Sequence, residues 1–284
     1  MDKYRIAKTI STFTNPPIIC IPLFLIICLA LSLKHNQDFW TLEIVSLVFA
    51  SILPMAIIMI WAKIIGTDND ISNRSDRYIP LIVGIISYFI GFVISLSMHL
   101  DNFLTCLLLC YTVNTGVVLI ITTKWKISVH TTGLSGPNAA LILLLGPVGA
   151  LFGILYPLII WSRVLLEKHT LAQAISGGVQ GYFLTVLEMY LFMNILNLPI
   201  VGMVSLADSL LYILAIIATP VILGVLSYTT KSRGLFIILE AICLILFLAF
   251  TPMSIWIIFV IISLVSMIIS VYAGDDFIWH DVLA

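Results

Sequence analysis

The chain has 284 residues, 61% of them hydrophobic and only 10% charged, with a formal net charge of -1. A soluble domain carries roughly a quarter of its residues as charged groups, so this composition excludes a water-soluble globular protein. The net charge alone identifies no partner, and no nucleic acid is expected.

Long apolar runs alternate with short polar clusters. A run of about 20 apolar residues crosses the roughly 30 Å hydrocarbon core as a helix, and a helix satisfies its own backbone polar groups in lipid. The expected fold is therefore all-α, a polytopic membrane bundle of about nine to ten helices. In chain order the runs are 18–33, 43–65, 79–98, 102–123, 132–161, 170–196, 206–227, 234–250 and 253–272. The first follows a basic start, as in a signal peptide, but is long for one and reads as a retained span. The five cysteines, Cys20, Cys28, Cys106, Cys110 and Cys243, all lie within these runs and read as small buried hydrophobes.

The run 132–161 would measure about 45 Å as one helix. Gly146-Pro147 stands in its middle, and that pair favours a turn, which predicts a hairpin of two short arms of about 20–24 Å each. Charge placement supports the hairpin. With it, twelve of the 13 lysines and arginines share one side, and Lys34 stands alone on the other. The positive-inside rule makes the basic side cytoplasmic. The location expected is the cell membrane, with residues 1–199 as one membrane-embedded domain and residues 200–284 as additional helices.

Three polar clusters fall on the basic side: 68–80, 124–133 and 162–173. They bring two histidines among several cations, which points to an anion site at the membrane boundary. His169 and Gln173 are four apart at the start of a predicted helix, so the amide can orient the imidazole. Ser128 and His130 also immediately precede a helix, whose free N–H groups favour an anion.

These clusters resemble the three signature motifs of the type 2 phosphatidic acid phosphatase superfamily, which includes the vanadium haloperoxidases. The third motif of that family, Ser-Arg-x5-His-x3-Asp, lies over Ser162-Arg163, His169 and Gln173. The second, Pro-Ser-Gly-His, lies over Ile127-Ser128-Val129-His130. The first, Lys-x6-Arg-Pro, lies over Asp70 and Arg77, with Pro80 displaced. The resemblance covers roughly residues 60–195, and the family too makes two short helices between its second and third motifs. It implies that His169 is the nucleophile, forming a phosphohistidine, and that His130 is the general acid. Arg77, Arg163 and Ser128 would bind the phosphoryl oxygens, and no metal or other cofactor is implied. The expected activity is removal of phosphate from a lipid or polyprenyl phosphate or diphosphate that enters from the bilayer; a phosphotransferase stays open.

Three departures bear on this expectation. Asp70 replaces a lysine, and Lys126, Lys168 or Arg74 would have to supply its charge. Val129 stands where the family has glycine, and Gln173 replaces the aspartate that raises the basicity of the nucleophile. Two other classes compete. Asp68, Asp70 and Asp76 resemble the first magnesium-diphosphate motif of intramembrane aromatic prenyltransferases, although no second acidic motif follows. A transporter or non-catalytic membrane protein would use Glu188 and Glu240, the only acids deep within the runs.

Overall fold

The computed structural model describes residues 3–230 except 68, 69, 72 and 201. Glu240, Cys243 and the last two apolar runs lie outside the described residues. Those described are helical, with no strand among them. Five segments are long and apolar enough to cross a membrane: Pro16–His35, Phe39–Ile65, Ser75–Ser97, Asn102–Thr122 and Pro147–Leu165.

The first helix, α1 (Lys3–Phe13), is short and packs Ala7 against Trp161. α2 (Pro16–His35) opens on two prolines, whose fixed φ suits a first turn and whose missing N–H costs nothing there. Cys20, Leu23, Phe24, Ile27 and Leu31 are buried on one face of α2, while Leu25, Leu29 and Leu33 are exposed on the other. A helix apolar on both faces has no solvent side, so its outer face needs lipid.

α3 (Phe39–Ser46) continues through a π-helical segment, Leu47–Ile52, into α4 (Leu53–Ile65). The wider turn has a local cause. The fifth residue after Phe49 is Pro54, which has no N–H to offer, and the hydroxyl of Ser87 donates to the Phe49 carbonyl instead (2.8 Å). In α5 (Tyr78–Ser97) the interior face is small or polar at Gly84, Ser87, Gly91 and Ser95, whereas Ile82, Ile86 and Phe89 point outward. Large apolar groups outside and small ones between helices is the membrane pattern of packing.

α6 (Asn102–Thr122) leads to the predicted hairpin. α7 (Val129–Leu145) ends at Gly146, whose φ of 60° and ψ of -128° suit glycine alone. The chain then returns through α8 (Pro147–Ala150), a 3-10 turn (Leu151–Ile154) and α9 (Leu155–Leu165). The Asn138 side chain donates to the Gly149 carbonyl (2.8 Å) and fastens the arms together. Lys34 donates to the Leu144 carbonyl at the hairpin tip. The expected turn is present; the total of nine to ten crossings goes beyond what the described residues establish.

α10 (Leu171–Ile195) makes its largest interface with α7. Gly177 and Gly181 allow it, because a Cβ at either would lie closer than 3.0 Å to Ser128 or Ser135. α11 (Leu206–Thr230) packs on α10 and α7, and its Ile213, Ala215 and Ile216 join the same core.

Candidate functional site

The three polar clusters meet at the end of the bundle remote from the hairpin tip. α5, α7 and α10 all begin there, so three helix N-termini face one region with their positive dipole ends. Two of these starts are capped by side chains. Ser128 Oγ accepts from the Thr131 N–H (3.4 Å). Thr170 and Gln173 form a reciprocal capping box, Thr170 Oγ1 accepting from the Gln173 N–H and Gln173 Oε1 from the Thr170 N–H. A further bond, Ser128 N–H to the Gln173 carbonyl (3.2 Å), ties the start of α7 to the start of α10.

This frame fixes His169, which lies just before α10 and is 5% exposed. Its Nδ1 is 3.2 Å from the Lys126 carbonyl and 3.3 Å from Gln173 Oε1. Both neighbours are acceptors, so Nδ1 carries the proton and Nε2 keeps its lone pair. Nε2 is buried and has no hydrogen-bond partner among the described residues. Burial, followed by the charges of Arg77, Arg163 and Lys126, pushes the imidazole pKa down to about 3. At neutral pH the ring is therefore an uncharged base with a nucleophilic nitrogen.

Arg163 is fully buried. Its Nη1 donates to Ser11 Oγ (2.5 Å), and its Nη2 donates to both carboxylate oxygens of Asp70 (2.9 Å each). Its Nε has no hydrogen-bond partner among the described residues. Asp70 also lies 3.7 Å from His130 Nε2 and 3.9 Å from Lys168 Nζ. Burial would raise the Asp70 pKa, but His130, Arg163 and Lys168 outweigh it and hold the carboxyl below its ordinary range. Arg77 donates from Nε to the Ile71 carbonyl (2.8 Å) and from Nη1 to the Ile127 carbonyl (3.4 Å). Lys126 is partly exposed; burial, then Arg77 and Arg163, lower its pKa.

His169, His130, Gln173, Arg163, Arg77, Ser128, Lys126 and Asp70 thus form one group. Arg74 stands exposed outside it. The sequence reading missed Ser11, which reaches Arg163 across 152 positions of chain, and the Ile71 carbonyl. Neither carries a local sequence signal.

Asp70, Arg77 and His130 close one end of a deep cavity that runs between α2, α5, α6 and α7 towards Cys20, Tyr88 and Tyr111. It holds about 1040 Å³ of empty space, counted out to its open mouth. Ligand sites are mostly apolar with a few placed polar groups, and the lining of this cavity has that character.

The competing acidic sites gain less. Among the described residues no three His, Cys, Asp or Glu side chains group as metal ligands. Asp70 faces Arg163, whereas Asp76 bonds to Asn73 and Ser75; Asp68 lies outside the described residues. Glu188 accepts from the Asn114 side chain (3.0 Å) inside the bundle. Comparison with family models, with curated proteins and with solved structures gives no match.

Proposed function

We propose that this protein is a membrane-embedded phosphohydrolase of the type 2 phosphatidic acid phosphatase kind. It would act on a phosphate or diphosphate carried by a lipid or polyprenyl chain. The observation that carries this reading is His169: a buried, neutral imidazole with Nδ1–H anchored and Nε2 unpartnered among the described residues, surrounded by Arg77, Arg163 and Lys126. Phosphoryl transfer chiefly requires positioning and cancellation of the negative charge on the equatorial oxygens, and fixed cations supply both.

In the first step Nε2 of His169 attacks phosphorus, and the bond from phosphorus to the leaving oxygen breaks. His130, which takes up a proton as the anionic substrate binds beside it, gives that proton to the leaving oxygen and releases the alcohol. Water then attacks the phosphohistidine, His130 takes a proton from it, and the N–P bond breaks to free phosphate. The proton removed from Nε2 is none, because Nδ1 holds the only one and the Lys126 carbonyl retains it.

The apolar cavity beneath Asp70, Arg77 and His130 supports a substrate bearing an apolar chain. Charge topology supports ten crossings with this end in the cytoplasm of a cell membrane. The test is phosphate release from lipid phosphates in detergent, with EDTA present. His169→Ala should lose about 10³-fold or more in rate, and His130→Ala about 10²–10⁴-fold. Equal rates in wild type and both variants would remove the assignment.

A further inference from the structure

The two arginines meant for a phosphoryl group are both engaged by two consecutive residues of the chain itself. Asp70 places its carboxylate on Arg163, and the Ile71 carbonyl accepts from Arg77. The same carboxylate is within 4.0 Å of His130 and Lys168. A carboxylate and a phosphoryl group present the same chemistry to such donors, namely anionic oxygens that accept charge-assisted hydrogen bonds.

Two independent features show that this arrangement is held under load and stands in the way. Ile71 has a φ of 43°. For a β-branched residue that is an outlier in the left-handed region, and such conformations cost on the order of 1–3 kcal/mol unless their surroundings enforce them. Here the surroundings are the Arg77 bond to its carbonyl and the burial of its side chain, which is 4% exposed. The cavity, moreover, is walled by Asp70, Ile71, Arg77 and His130, while neither Arg163 nor His169 lines it. A phosphate arriving through the cavity meets Asp70 before it meets the nucleophile.

We infer that the Asp70–Ile71 turn is an internal occupant of the phosphoryl site, an anion mimic that the substrate phosphate displaces from Arg163 and Arg77. This rests on the phosphohydrolase reading of the site and adds to it. It also gives a role to the aspartate that stands where the resembled family has lysine. Asp70 does not help to bind phosphate; it competes with it. Displacement releases the Ile71 backbone from its left-handed conformation, so part of the cost of breaking the Asp70–Arg163 pair is offset by relieved strain. A weakly binding product phosphate would then be expelled by the returning carboxylate.

The test compares wild type with Asp70→Asn and Asp70→Ala, purified in detergent, by titration with inorganic phosphate and separately with dodecyl phosphate. Asn keeps the shape and one acceptor for Arg163 but removes the charge; Ala removes both. Both variants should bind both ligands at least tenfold more tightly than wild type. Equal or weaker binding of inorganic phosphate overturns the inference. A gain seen with dodecyl phosphate alone also overturns it, because Asp70 would then obstruct only the chain. If the variants melt without ligand, a larger phosphate-induced rise in melting temperature than in wild type supports displacement, and no rise overturns it. Phosphate release from dodecyl phosphate by wild type separates the two readings: release with unchanged affinity in the variants refutes only the occupant, and no release by wild type refutes the phosphohydrolase.

Discussion

Replacing Gly177 by alanine adds one methyl group where the site has no room for it. An ideal Cβ at Gly177 would lie closer than 3.0 Å to the Ser128 carbonyl oxygen and to Thr131 Oγ1, and 3.1 Å from Thr132 Oγ1. The first of these atoms is backbone. Thr131 Oγ1 and Thr132 Oγ1 each donate to the Ser128 carbonyl (3.1 Å), so neither can swing away without losing a bond. α10 must therefore lift from the start of α7. That movement strains the Thr132 bond to the Gly177 carbonyl and the Ser128 bond to the Gln173 carbonyl, which hold His169 and His130 in register. Overpacking of this kind costs about 1–3 kcal/mol, and a misplacement on the order of 1 Å at a reacting centre costs about 10²-fold in rate. Gly116→Ala is the control: nothing lies within 4 Å of its added Cβ, and alanine in a helix interior gains up to about 1 kcal/mol. Thermal unfolding in detergent and phosphate release from a lipid phosphate read the two effects. A Gly177→Ala protein with wild-type melting temperature and rate would refute the claim that this close approach aligns the site.

The remaining predictions concern the nucleophile. Gln173→Glu keeps the reach and the capping geometry of the side chain while placing a negative charge 3.3 Å from Nδ1 of His169. It should raise the His169 pKa from about 3 and increase the rate at neutral pH, as read from a pH–rate profile; an unchanged or lower rate with an unchanged profile contradicts this. His169 also makes stability depend on pH. Its folded pKa of about 3 lies below the ordinary value of 6.5, so the unfolded chain binds more protons between these limits and stability falls as pH drops from 6.5 towards 3. His169→Asn should flatten that part of the slope in urea or thermal unfolding, and an unaltered slope would show that the imidazole is not buried neutral.

Much of the site is legible because it is built from helix starts, whose signals are local. Ser128 and Thr170 are capping residues at the positions where α7 and α10 begin, and Thr170-x-x-Gln173 is a capping box within four residues. Gly146-Pro147 marks its turn for the same local reason. The gathering of cations was legible too, from lysines and arginines spaced around two histidines. What the sequence hid depends on chain segments that meet only in space. Asp70 reads as a lost lysine, and nothing near it in sequence shows that its carboxylate lies on Arg163, 93 positions away. Ser11 sits on a short amphipathic helix whose docking onto α9 has no signature, yet it accepts the other arm of the Arg163 guanidinium. Nothing in the run 43–65 marks the π-helical segment before Pro54, since only the Ser87 hydroxyl on α5 reveals where the freed carbonyl finds a partner.

Topology and chemistry are bound together at Gly146. His130 lies in the first turn of α7, and a 17-residue helix carries the chain about 25 Å away from it. Only a reversal there can bring Arg163 and His169 back to the same end, and the reversal depends on a backbone conformation open to glycine. The return arm then needs a fixed length, because Arg163 must end beside Ser11 and Asp70, and His169 beside Lys126. The break of α8 and α9 by the 3-10 turn at Leu151–Ile154 adjusts that length, since a 3-10 turn rises about 2.0 Å per residue against 1.5 Å in an α-helix. The same Arg163 that this arm delivers is the one Asp70 occupies. A chain that reversed one residue later would turn Arg163 by about 100° around α9, away from both Ser11 and Asp70.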